Sequence, residues 1–247
     1  MSQGGPFGGG FGQELAGLLR QAARMYGALL RALVPAFVVT FIVLRELLLI
    51  VLAVEDLKPV TLLLVATLVQ AVIPAFVGSL LVAAAVPVLA GKAEGMREAW
   101  TSLADRRPDI YRAAGWSSAL ALFFTVTLGP VGIIVQPMVL GPPLIIHEIV
   151  LKGRGSRLAW ERTKEMVGGD SRQLVYLLAI PAVIGIVLTT FLRAFGVLSG
   201  DIPGIARGVI YFAVQGALIG AALPFVAAVA LQLYEEMAST LGGDEAR

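Results

Sequence analysis

Residues 151–166 read LKGRGSRLAWERTKEM and residues 91–100 read GKAEGMREAW. The first stretch carries five Lys or Arg, although long apolar runs flank it on both sides. Aligned on their tryptophans, Lys92, Gly95, Arg97, Ala99 and Trp100 match Lys152, Gly155, Arg157, Ala159 and Trp160 at one constant offset. A match of this kind reads as an internal repeat. The plainer reading is that cytoplasmic loops are basic in any case and that Trp favours interfaces.

Each copy makes one apolar stripe when wound as a helix. Met96, Ala99, Trp100, Leu103 and Ala104 fall on one side, with Arg97, Glu98, Asp105 and Arg106 off it. In the second copy Ala159, Trp160, Thr163, Met166 and Val167 form a weaker stripe. Ser156 is a candidate N-cap there, and Arg157 with Glu161 is an i,i+4 pair. A third amphipathic stretch covers residues 13–31, with Leu15, Leu18, Ala22, Met25 and Leu29 opposed to Arg20, Arg24 and Arg31. Helices of this type lie in the plane of a membrane, apolar side down and basic side toward anionic headgroups. The candidate headgroup-binding residues are Arg97, Trp100, Arg106, Arg107, Arg157, Trp160, Arg162 and Lys164, and the expected partners are anionic phospholipids. The purely structural alternative, elbows that turn the chain between hairpins, is compatible with this.

The surrounding composition supports a bilayer. The 247-residue chain is 57% hydrophobic, with a mean hydropathy of +0.85 and only 15% charged residues. A soluble domain carries about 25% charged residues. Six apolar runs are expected to span, at about 32–54, 60–90, 110–128, 132–151, 172–195 and 203–234, since about 20 helical residues cross a bilayer core. Prolines at 74, 87, 137, 142, 143 and 224 predict kinks inside them. Gly129–Gly132 predicts a tight turn, Pro108–Asp109 a helix start and Ser171 an N-cap. The expected architecture is all-α, with three transmembrane hairpins, each preceded by an interfacial helix. It forms one domain over 13–236, between a disordered Gly-rich tail at 1–12 and a polar C-terminal tail at 237–247. The N-terminus lacks the basic-then-apolar pattern of a cleaved signal.

Counting Lys and Arg in the loops orients the chain. Fourteen fall on the side of the basic stretches and three, Lys58, Arg193 and Arg207, on the other. Both termini are therefore expected in the cytoplasm, in a multi-pass protein of the inner membrane.

The run Pro143 to Glu148, followed by Gly155, Ala159–Trp160, Thr163–Lys164 and a new apolar span, resembles the membrane domain fused to some bacterial glycerophosphoryl diester phosphodiesterases. The closing stretch from Pro224 through Leu233–Tyr234 resembles the end of that domain. The resemblance covers about residues 14–240. It implies a six-span envelope protein tied to lipids. The catalytic barrel of those enzymes has no counterpart here, so their activity does not follow.

Several polar residues fall inside apolar runs, which by default marks a functional candidate. They are Arg45, Glu46, Gln70, Gln136, His147, Glu148, Gln215 and Gln232. Arg45 is expected to pair with a carboxylate such as Glu55 or Asp56, or to meet a headgroup or substrate. Glu148 is expected to pair with a cation of the adjacent elbow. One His and one Glu do not make an ordinary zinc site, which takes three or four ligands. The glutamines suit hydrogen bonds between helices. Small residues at Gly78–Ser79, Ala83–Ala85 and Gly216–Ala222 suit close helix contact and, more weakly, a surface for a second copy.

No cysteine is present, so disulfides and thiol chemistry are excluded. No phosphate loop, catalytic triad order or metal-site motif appears, so no catalytic residue, metal or cofactor is expected, and nucleic acid is not an expected partner. The expected function is a non-enzymatic membrane protein that binds or organises lipids through its basic elbows. The alternatives are a transporter or channel for a solute or lipid and, behind it, an intramembrane lipid enzyme built on Arg45 or His147–Glu148.

Overall fold

The computed structural model describes residues 10–52, 61, 65, 68–128, 143–169, 183–184, 187–188, 190–192, 194 and 204–245. The architecture is all-α, with no strand among the described residues. Helix α1 (Gly10–Leu52) starts inside the stretch expected as a Gly-rich tail. Its two limbs, Leu15–Gly27 and Arg31–Leu47, meet at 88°. The bend falls between Gly27 and Arg31; one turn further on, Pro35 has no N–H for the Arg31 carbonyl and its ring crowds that carbonyl. The amphipathic stretch and the first expected span are thus one helix turned through a right angle. Ala22 and, with partial burial, Leu15, Leu18 and Met25 face the protein, while Arg20, Arg24 and Arg31 face out.

A π turn at Leu68–Val72 leads into α2 (Ile73–Leu89). Pro74 removes a donor in the first turn of α2. The Ser118 hydroxyl, from a neighbouring helix, donates to the Val72 carbonyl at 3.1 Å where the ladder changes pitch. Helix α2 is apolar all round because it is the centre of the molecule. Its small residues Gly78, Ser79 and Ala83–Ala85 are buried, and it contacts five other helices.

Next come α3 (Met96–Ser102), a 3-10 turn (Ala104–Arg106), α4 (Arg107–Leu128), α5 (Pro143–Lys152), α6 (Ser156–Gly169) and α7 (Gly204–Glu245). The first repeat copy is expected as one helix over residues 95–107. The structure breaks it at Leu103, so Leu103 is buried and Ala104 is exposed. Helix α7 continues to Glu245, through residues expected as a polar tail, and Met237 in that extension is buried. Described positions between 183 and 194 are helical, inside the fifth expected span.

Helices α1 and α7 run antiparallel and make the most extensive helix contact in the molecule. Gly216 and Gly220, one turn apart on α7, set the distance. A Cβ at Gly216 would lie 2.6 Å from Ile42 Cα and Phe41 O, and one at Gly220 2.6 Å from Val38 Cα. Small residues four apart allow this backbone approach. Two polar contacts hold the outer limb of α1 against α7. Tyr26 donates its hydroxyl to Ala221 O at 3.0 Å, in the turn before Pro224, and its ring meets Phe225 edge-on. The amide of Gln232 lies against α1: its nitrogen donates to Met25 Sδ at 3.1 Å, and the opposite amide orientation donates to Leu18 O at 3.0 Å and accepts from the Ala22 N–H at 3.2 Å.

Ala206–Ser239 within α7 is long and apolar enough to cross a membrane. Three rows of large apolar side chains face outward: Val39, Val43, Leu47 and Ile50 on α1; Trp116, Leu120 and Phe123 on α4; and Val183, Val187 and Phe191. Each follows helical spacing. Rows of this size are uncommon on water-exposed surfaces.

Candidate functional site

The basic elbows begin at two left-handed glycines. Gly91, at φ +67°, ends α2, and Gly153, at φ +69°, ends α5. At the first, Lys92 N–H bonds Pro87 O at 2.7 Å and Gly91 N–H bonds Val88 O at 3.1 Å, the paired closure of a Schellman motif. At the second, the Gly153 N–H bond to Ile149 O (3.1 Å) belongs to the simpler left-handed cap, which leaves Val150 O open. Arg106 fills that vacancy from the 3-10 turn, donating through Nη1 to Val150 O. Its guanidinium sits so close that a Cβ on Gly153 would lie 3.2 Å from Nη2.

The aligned positions then behave alike. Helix α3 starts after Gly95 and α6 after Gly155; Ala99 N–H bonds Gly95 O and Ala159 N–H bonds Gly155 O, both at 3.0 Å. Ala99 and Ala159 are both fully buried. The caps differ. Glu98 reaches back to the Glu94 N–H at 2.9 Å. Ser156 is the first residue of α6 rather than its cap, and its N–H is taken at 3.0 Å by Asp109 Oδ1 from α4. That bond, with help from Arg112, holds the Asp109 carboxyl below its ordinary range.

The candidate headgroup residues divide into two groups. Arg106, Arg107 and Arg162 serve the protein. Arg107 donates to Trp100 O at 3.1 Å and lies 5.3 Å over the Trp100 ring, and Arg162 pairs with Glu165 at 2.8 Å with 17% of its side chain exposed. Arg97, Arg157 and Lys164 point outward; the Arg157 side chain is 92% exposed and meets Glu161 at 3.3 Å. Trp100 is half-buried against Tyr111, whereas Trp160 stands outside the buried stripe. Beside Trp160 lies an open cleft of about 340 Å³, lined by Ala113, Trp116, Ile145, Ser156, Arg157 and Trp160. Trp116 escaped the sequence reading, although its place near the head of an expected span is where indoles favour the interface. A second cleft, of about 380 Å³, lies over the ends of α2 and α5. The aligned residues Lys92 and Lys152 meet there with Tyr234, Glu235 and Ser239.

His147 and Glu148 are both buried, and Glu148 is satisfied from two directions. Arg154 Nη1 meets Oε2 at 2.8 Å and the Tyr234 hydroxyl donates to Oε1 at 3.0 Å. The expected elbow cation is therefore Arg154. The His147 ring stacks on Tyr234 at 5.5 Å. This arrangement fastens α5, the elbow and α7 together. Among the described residues no His and acidic side chains group as metal ligands.

Arg45 is buried in α1, 2% exposed, with Tyr211 of α7 in its electrostatic neighbourhood. Oxygens of Glu46 and Gln215 are also buried. Glu55, Asp56, Lys58, Gln136, the Gly129–Gly132 turn, Pro137, Pro142 and Ser171 lie outside the described residues, as does the side chain of Gln70. The resemblance drawn from the sequence rests on its quoted residues alone: no family model, no curated protein and no solved structure matches this chain.

Proposed function

We propose that the chain is a multi-pass protein of the inner membrane, with six spans in three hairpins and both termini cytoplasmic, that binds and organises anionic phospholipids of the inner leaflet. Its role is non-enzymatic. The observation that carries this reading is the outward projection of Arg97, Arg157 and Lys164 from α3 and α6, each helix also bearing an indole. Cations near an anionic leaflet attract it by about 1 kcal/mol each. Further support comes from the outward apolar rows of α1 and α4 and from the right-angle bend of α1, which suits a helix passing from the membrane plane into the core.

The test is lipid analysis of the protein purified in mild detergent. Replacing Arg97, Arg157 and Lys164 with Gln is expected to reduce co-purified phosphatidylglycerol and cardiolipin several-fold relative to phosphatidylethanolamine. An unchanged lipid profile would overturn the reading. Arg106, Arg107 and Arg162 are left intact because they hold the elbows together.

A solute pathway is the second reading, favoured by burial of Arg45 near Tyr211 in the α1–α7 contact. It requires a water-accessible cavity reaching Arg45. Labelling of an Arg45→Cys variant by a membrane-impermeant thiol reagent is expected only if that cavity exists.

A further inference from the structure

We propose that the cleft between α4 and α6 holds one anionic membrane phospholipid, its phosphate on Arg157 and the first part of an acyl chain between Trp116 and Trp160. The inference rests on the lipid reading above and narrows it to one site.

The lining combines Ser156 and Arg157, at the end of α6 that meets Asp109 near the head of α4, with the apolar Ala113 and Ile145 and the indoles of Trp116 and Trp160. Trp116 is 64% exposed and Trp160 43%. Indoles with one apolar and one wet side belong at this depth. From Trp116 the exposed row continues along α4 through Leu120 and Phe123, away from Arg157. A polar end followed by an apolar track is the profile of a lipid. The volume, about 340 Å³, suits the glycerol-phosphate portion and the first carbons of a chain. The rest of the molecule lies along the α4 row.

The charge arrangement selects an anion. Asp109, behind Ser156, is already engaged by the Ser156 N–H and by Arg112 at 3.3 Å. The ion-pair partner of Arg157 among the described residues is Glu161 at 3.3 Å, and that carboxylate is itself more than half exposed. An exposed pair of this kind is weak. A phosphate entering the cleft takes the place of Glu161 on the guanidinium. Glu161 therefore competes with the lipid, so its neutralisation strengthens binding.

The chain has three tryptophans, so Trp100→Phe leaves Trp116 and Trp160 as the reporters. The probes are brominated phosphatidylglycerol and brominated phosphatidylcholine, titrated into the full chain in detergent while indole emission is read. Phosphatidylglycerol is expected to quench at the lower mole fraction. Arg157→Gln is expected to weaken it about fivefold and remove the difference between the two lipids. Glu161→Gln is expected to strengthen it about twofold. Soluble glycerol phosphate is expected not to relieve the quenching.

Equal quenching by the two lipids, or no response to Arg157→Gln, would overturn the site and leave the membrane reading standing. Weaker binding in Glu161→Gln would overturn the exchange of partners. Displacement by glycerol phosphate would assign the cleft to a soluble phosphate ester instead. No quenching by either lipid would overturn both this proposal and the reading it rests on.

Discussion

The Tyr234 hydroxyl donates to Glu148 Oε1 at 3.0 Å across 86 residues of sequence, while Arg154 takes the other carboxylate oxygen at 2.8 Å. Glu148 is 1% exposed, so each partner replaces water that the carboxylate has lost. A buried anion held from two sides locks the end of α5 to α7 and to the elbow before α6.

Removing one partner is expected to destabilise more than removing the charge. Tyr234→Phe leaves one buried oxygen short of a donor and is expected to cost about 1–3 kcal/mol. Arg154→Ala leaves the carboxylate without its cation and is expected to cost about 3 kcal/mol, moderated because Arg154 is partly exposed. The double change Glu148→Gln with Arg154→Ala is expected to recover part of that loss. Thermal unfolding of the four proteins in one detergent reads the comparison. A double variant no more stable than Arg154→Ala would count against an ionised Glu148.

The α1–α7 crossing makes a steric prediction. Gly216→Ala and Gly220→Ala each place a methyl 2.6 Å from backbone atoms of α1, and backbone cannot swing aside. Each is expected to cost about 1–3 kcal/mol, the usual penalty of overpacking. Gly17→Ala meets nothing within 4 Å and is expected to be neutral or stabilising by up to about 1 kcal/mol, since Ala favours helix. Denaturant titration in mixed micelles separates the two behaviours. Equal effects at Gly216 and Gly17 would mean that the helices do not cross there.

Asp109 predicts an acid-sensitive cap. Its carboxyl is held below the ordinary value of 3.8, first by the Ser156 N–H. A lowered folded value means that the contribution is complete above the unfolded value and fades as pH falls through the folded one. Asp109→Asn is therefore expected to lower the melting temperature at neutral pH. The gap to the native protein is expected to close below pH ~4. A gap that persists unchanged into strong acid would show that Asp109 acts through packing alone.

Much of the fold was legible because its signals are local. The greasy runs, the stripe at Met96, Ala99 and Leu103 and the aligned glycines at 95 and 155 all depend on residues a few positions apart. Helix existence follows from such patterns, and so does the pairing of Arg157 with Glu161. Boundaries were less legible: the first elbow breaks at Leu103 where its apolar stripe continues, and α7 runs on through a polar end because no proline stops it before Glu245.

The partners of the charged residues were decided by tertiary structure. Composition placed Arg97, Arg106, Arg107, Arg157, Arg162 and Lys164 in one basic class. Only the folded chain sets Arg106 on the open Val150 carbonyl and Arg107 on Trp100, leaving Arg157 beside an indole cleft. Tyr234 does not announce its role locally, because it acts on Glu148 of another helix, and Trp116 joins the lining of a cleft that residues of three helices form. A short-range pattern specifies which face of a helix is apolar, whereas the group that meets a guanidinium or a carboxylate depends on how distant helices come together.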